Sequence, residues 1–172
     1  MVVMRKVFDF FLKKFNPYFY YTRVLGVKIG NNYRGSTTIN FGSEPYLIEI
    51  GDDFYSSVGV SFVTHDGAIN VVRNINSNYA DADIIDKIIV GNNVFLGMNV
   101  TILPGSEIED DVIVGAGSVV KGKLSKRCVY AGVPAKFICS VDSYVLKNEH
   151  QIFMTKSLSR SDKKAFLLKH FF

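Results

Sequence analysis

The 172-residue sequence holds two cysteines, Cys128 and Cys139, four prolines and no tryptophan. Two cysteines cannot staple a small scaffold, so a disulfide-built domain is excluded and a reducing, cytoplasmic compartment is expected. No run reaches the roughly 18 apolar residues that a membrane span needs. The opening MVVMRKVFDFFLKKF breaks its apolar stretch with charges, so it lacks the core of a signal peptide. Charge of one sign is also scarce. Lys and Arg number 20 against 16 Asp and Glu, and the net +4 is scattered. That argues against nucleic acid and suits an anionic ligand. Apolar residues are plentiful at 48%, enough to offset the ordering entropy that keeps polar chains disordered. The length suits one domain, 1–172, and no internal boundary shows.

What is present is a repeat. Val90, Leu96, Ile102, Ile108, Val114 and Val120 are branched aliphatics spaced by six. A second phase runs four residues later through Val94, Val100, Ser106, Val112, Ser118 and Leu124, all small or branched. Gly91, Gly97 and Gly115 follow three of the first set. A period of six forms no single helical face, and the glycines weaken a helix further. A hairpin would need alternation bounded by turn signals. Short strands joined by bends every six residues satisfy the pattern, with Gly or Asn where φ turns positive. Hexapeptide periodicity is a β-helix signature.

The same rhythm recurs upstream in two phases shifted by three. Ile29–Gly30, Gly35, Phe41–Gly42 and Leu47 make one; Ile50–Gly51, Ser56 and Phe62 make the other. The slip falls at 43–46. Phe62 and Val90 are 28 residues apart, so a polar loop at about 66–86 must leave the coil, and such excursions are where function concentrates. Met4 to Phe15 reads as an amphipathic helix, with Val7, Phe8, Phe11, Leu12 and Phe15 on one stripe. That stripe is read as a cap on the open end of the coil; weak contact of residues 1–15 with a membrane surface is the alternative. The expected architecture is a cap over 1–25, a coil over 26–138 and a helical tail over 139–172, with Ser161 as a candidate N-cap.

Val90 to Leu124, followed by Val129-Tyr-Ala-Gly-Val-Pro-Ala-Lys136, resembles the hexapeptide-repeat acyltransferases. The resemblance implies an all-β left-handed parallel β-helix. The stretch from Ile50 through His65-Asp66 resembles the segment that delivers the catalytic histidine in galactoside, maltose and xenobiotic acetyltransferases. Asn40-Phe-Gly-Ser-Glu-Pro-Tyr-Leu and Thr64-His-Asp-Gly67 are similar to acetyltransferases of capsule and exopolysaccharide pathways.

Acyl transfer from a thioester to a hydroxyl needs a base, and imidazole suits neutral pH. Of three histidines, His150 and His170 lie in the tail. His65 stands where the coil gives way to the polar loop, and it is the expected catalytic base in a direct transfer. Cys128 and Cys139 fall in the terminal segment, away from that loop, so covalent relay is not expected. Asn40 resembles an acceptor-side asparagine, or else is a residue in a bend. Glu44 is read as orienting His65 or binding a sugar hydroxyl, and Asp66 as touching acceptor or loop backbone. For acetyl-CoA, the resemblance implies Phe95, Gly97, Met98, Ala116, Lys121 and Lys136. It also implies a homotrimer with sites between subunits and no metal.

The expectation is an O-acetyltransferase of a sugar or glycan in surface polysaccharide synthesis. N-acetylation of an amino sugar, a zinc lyase and a silent scaffold are the competing classes. The zinc lyase would need about three histidine ligands, and only His65 lies in the repeat region.

Overall fold

A computed structural model describes residues 2–172, with side chains from Phe8 onward. The chain divides into two compact units, Met1–Val141 and Asp142–Phe172.

In the first unit, strands of two to five residues fall into three sheets, and every neighbouring pair along the coil is parallel. One face stacks Lys28–Ile29, Ile48–Ile50, Ile88–Val90, Glu107–Ile108 and Lys123–Leu124. The second stacks Tyr55–Ser56, Phe95–Leu96, Ile113–Val114 and Cys128–Ala131, closed by antiparallel Lys136–Ser140. The third stacks Ser61–Phe62, Thr101–Ile102 and Val119–Val120. The result is the left-handed parallel β-helix.

The period-six aliphatics all point inward. Val90, Leu96, Ile102, Ile108, Val114 and Val120 are each at most 2% exposed. The second phase is buried too, from Val94 through Ser118. Leu124 departs from the expected series. It pairs with Ile108, sixteen residues back, so it occupies a first-phase position. The last coil is two residues short, and this moves Leu124 from one phase to the other.

One corner of the prism shows why Asn and Asp recur. Asn32, Asp53, Asn93, Asp111 and Arg127 occupy φ between 53° and 58°, a left-handed conformation that Asn and Asp accept more readily than most residues. Their neighbours form a ladder. The Asp52 side chain accepts the Asn31 backbone N–H at 2.7 Å, Asn92 accepts that of Asp52 at 2.8 Å, and Asp110 accepts that of Asn92 at 2.6 Å. Corner amides that would otherwise lack partners are thereby satisfied.

Departures from eighteen concentrate between the third face and the first. Thr101 and Val119 are eighteen apart, whereas Lys28, Arg34 and Asn40 pair with Glu49, Tyr55 and Ser61 at an offset of 21. The three extra residues lie at the expected slip, where Pro45–Leu47 forms a 3-10 turn. Ser61 pairs with Thr101 forty residues on, so the large excursion leaves the coil at the same edge. Its base is a short antiparallel pairing: Asp66 donates to the Ile84 carbonyl and Asp86 to that of Thr64, both at 2.9 Å. The expected polar loop contains a helix, Ile69–Ile75, anchored by buried Ile69.

Within the expected cap over 1–25, the stripe residues Phe8, Phe11 and Phe15 of the Val2–Phe15 helix are exposed, and it is Tyr21, with Val27 just beyond, that is buried in the core at this end of the coil. Tyr21 stacks edge-on against Phe41 at 4.8 Å, which itself stacks on Phe62. Burial pushes the Tyr21 hydroxyl up to about 12. The side chains of Met4, Arg5, Lys6 and Val7 lie outside the described residues.

In the second unit, the Arg160–Phe171 helix is capped by Ser159, not Ser161. The Ser159 hydroxyl accepts from the Asp162 N–H at 3.2 Å. The Ser159 backbone is extended, as an N-cap requires, whereas Ser161 is already inside the first turn. Phe153 packs on Phe166, His170 and Phe171.

Candidate active site

Glu44 and His65 are 21 residues apart, the same offset that pairs Asn40 with Ser61. They therefore occupy equivalent places on successive coils, four residues past paired positions on the third face. Stacking alone brings them together. His65 Nδ1 lies 2.9 Å from Glu44 Oε2, and the Thr64 hydroxyl donates to the same oxygen at 2.7 Å. Thr64 is fully buried, the Glu44 side chain is 18% exposed and that of His65 is 41% exposed.

The Thr64 hydroxyl first, and the His65 ring second, hold the Glu44 carboxyl below its ordinary range. Glu44 is thus a carboxylate, which can only accept hydrogen bonds. Nδ1 of His65 must carry the proton in this pair, so in the neutral ring it is Nε2 that has the lone pair. A histidine whose tautomer and ring plane are set by a carboxylate in this way is chemically able to accept a proton at Nε2.

His65, Glu44 and Ser43 line a cavity of about 220 Å³ whose other wall is the excursion: Asp66, Gly67, Ile69, Arg73, Asp83, Ile84 and Ile85. Arg73 braces that wall. Its Nε donates to the Ala82 carbonyl at 2.7 Å, and its Nη2 pairs with Asp83.

The expected site residues divide into separate groups. Glu44, His65 and Asp66 share the cavity. Asp66 Oδ1 accepts the Ala68 N–H at 2.9 Å and so helps start the loop helix. Asn40 lies outside the cavity lining, and its side-chain oxygen accepts the Gly42 N–H at 3.1 Å, closing a bend. None of the residues expected to meet the acyl donor lines this cavity. Phe95 sits on the second face against Tyr55, with ring centroids 5.3 Å apart. Gly97, Met98 and Ala116 meet at the next corner. A Cβ on Gly97 would lie 2.5 Å from the Ala116 nitrogen, so only glycine fits between these rungs. Met98 is half exposed; Lys121 and Lys136 are exposed. Cys128 and Cys139 are free thiols on the paired terminal strands, outside the cavity lining. His150 and His170 belong to the second unit.

Thr64 is not among the residues the sequence marks as candidates. Its signal is weak: it is one of several buried polar residues of the coil, with Ser56, Ser106 and Ser118, and is set apart only by standing next to the candidate base.

Residues 87–122 match the family model described as bacterial transferase hexapeptide (six repeats). Protein CapG of Staphylococcus aureus is 41% identical over 151 residues, 87% of this chain and 86% of that protein. A putative lipopolysaccharide biosynthesis O-acetyl transferase, WbbJ, of Escherichia coli K12 is 53% identical over 51 residues, 30% of this chain and 26% of that protein. Among solved structures, a maltose O-acetyltransferase from Clostridium difficile 630 superposes with a TM-score of 0.59 at 30% identity, covering 66% of this chain and 58% of that one. Other structures of this fold hold coenzyme A or acetyl coenzyme A. With the repeat, the prism and this similarity in hand, the chain belongs to the hexapeptide-repeat family of bacterial transferases, among its acetyltransferases.

Proposed function

We propose that the protein transfers an acetyl group from acetyl-CoA to a hydroxyl of a sugar or glycan, with His65 as general base. The observation that carries this reading is the Glu44–His65 contact at 2.9 Å, which leaves Nε2 as the proton acceptor at a cavity. Nε2 takes the proton of the acceptor hydroxyl as its oxygen attacks the thioester carbonyl. The imidazolium is stabilised by the Glu44 carboxylate while the tetrahedral oxyanion exists. Collapse expels the thiolate, which receives the proton from Nε2, so the histidine ends neutral and no acyl-enzyme forms. Neither free cysteine lines the cavity, in keeping with direct transfer.

The acceptor is a sugar of a surface polysaccharide. Supporting this are the segments around Asn40 and Thr64 that resemble capsule and exopolysaccharide acetyltransferases, and the local similarity to a lipopolysaccharide O-acetyl transferase. The cavity is rimmed by Glu44, His65, Asp66, Arg73 and Asp83, side chains that can hydrogen-bond sugar hydroxyls.

Phe95, Gly97, Met98, Ala116, Lys121 and Lys136 receive acetyl-CoA from a neighbouring subunit's side of a homotrimer. Supporting this are their absence from the lining of the His65 cavity within one chain, the half-exposed His65 ring, and the exposed Tyr55, Val58 and Met98. The compartment is the cytoplasm, where free Cys128 and Cys139 persist.

The test is acetyl transfer from labelled acetyl-CoA to a panel of nucleotide sugars, glycan fragments and amino sugars. His65→Ala should lower kcat by about 10²–10⁴. Wild-type turnover by that variant would overturn the mechanism, and acetylation of amino sugars alone would make the enzyme an N-acetyltransferase.

A further inference from the structure

We infer that the Val2–Phe15 helix is a docking surface for a bilayer of anionic phospholipid. The helix presents its phenyl groups away from the coil. Phe8, Phe10, Phe11 and Phe15 are 65%, 64%, 51% and 76% exposed. Phe11 and Phe15 stack at 6.2 Å, and Phe10 meets Phe11 edge-on at 5.7 Å, so these rings form one continuous patch. A polar residue makes a contact with the body of the protein, on a side where Asp9 and Leu12 are also half-buried. Lys13 Nζ donates to the Ile39 carbonyl at 3.4 Å and lies over the Tyr21 ring at 5.8 Å. A helix that merely capped the coil would bury its rings and expose its lysines. Here a lysine faces the body and the rings face outward.

Charge selects the occupant. Apart from Lys13, which faces the body, the stretch from Arg5 to Lys14 carries Arg5, Lys6 and Lys14 against a single acid, Asp9. Docking two copies of this helix would bring like charges together, whereas anionic headgroups neutralise them while the acyl boundary takes the phenyl rings. The helix has 14 residues, about 21 Å at 1.5 Å per residue, too short for a hydrocarbon core of roughly 30 Å. No helix among the described residues is long and apolar enough to cross a membrane. The helix therefore lies in the plane of the interface.

The test is flotation of the full chain with phosphatidylcholine vesicles, with and without phosphatidylglycerol. The wild type should float only when phosphatidylglycerol is present, and raising the salt from about 0.1 M to about 1 M should release it, as screening shortens from roughly 10 Å to 3 Å. Phe11→Ser with Phe15→Ser should weaken flotation about tenfold or more, and Lys14→Glu should weaken it as well. Acetyl transfer to a soluble sugar should stay unchanged in both variants. Failure of the wild type to float with anionic vesicles would overturn the inference. So would flotation that ignores the phenyl substitutions. A mass by light scattering that falls on Phe11→Ser with Phe15→Ser, without any flotation, would assign the patch to self-association instead.

Discussion

Glu44→Gln is the most informative substitution, because it keeps the shape of the side chain and removes only its charge. The amide oxygen can still accept from Thr64 or His65, so the effect isolates the electrostatic part of the pair. In the transition state the His65 imidazolium would sit 2.9 Å from a neutral group instead of a carboxylate. Coulomb's law at that separation, screened as in bulk water, corresponds to about tenfold in rate, and weaker screening raises the effect. The His65 side chain is 41% exposed and that of Glu44 18%, so screening is substantial but incomplete. A fall in kcat of about ten- to a hundredfold is expected, with KM for acetyl-CoA unchanged. The assay is initial-rate kinetics with both substrates varied, at fixed pH and salt. Wild-type kcat in Glu44→Gln would refute the orienting role. A raised acceptor KM with unchanged kcat would instead place Glu44 against a sugar hydroxyl.

Thr64→Val should lower kcat with the fold intact, since the buried hydroxyl that holds the Glu44 oxygen is lost; Thr64→Ser should restore most of it. The Glu44 carboxyl is held below its ordinary range, so its stabilising contribution is complete above the unfolded value near 4.3 and is lost as pH falls through the lowered folded value. The melting temperatures of wild type and Glu44→Gln should therefore converge as pH drops below about 4, and a gap that widens there would contradict the assignment. Ile102→Ala removes a fully buried rung of the core and should cost about 2–5 kcal/mol in denaturant unfolding. Gly97→Ala forces a Cβ to within 2.5 Å of the Ala116 backbone, which cannot swing aside, so melting temperature should fall even though one methyl is added.

How much was readable in the chain depended on whether a feature repeats. The six aliphatics from Val90 to Val120 announced the prism because each rung states the same local rule again. Leu124 falls in the second phase by spacing alone, because a two-residue shortening leaves no mark in composition; only its pairing with Ile108 places it in the first. Amphipathicity marks the phenyl stripe of the first helix but does not say which side meets the body. Lys13 decided that, through contacts with residues far along the chain.

The sequence by itself determined the coil, its slip at 43–46, the excursion after Phe62 and the candidacy of His65. These follow from periodicity, its interruptions and residue chemistry, all of which are local. The tertiary structure alone decided that Glu44 and His65 share an oxygen's reach with buried Thr64, and that Asn40 closes a bend outside the cavity. The reason is register. Three inserted residues make the first coil 21 long, and only in the stacked chain does that length set residue 44 under residue 65.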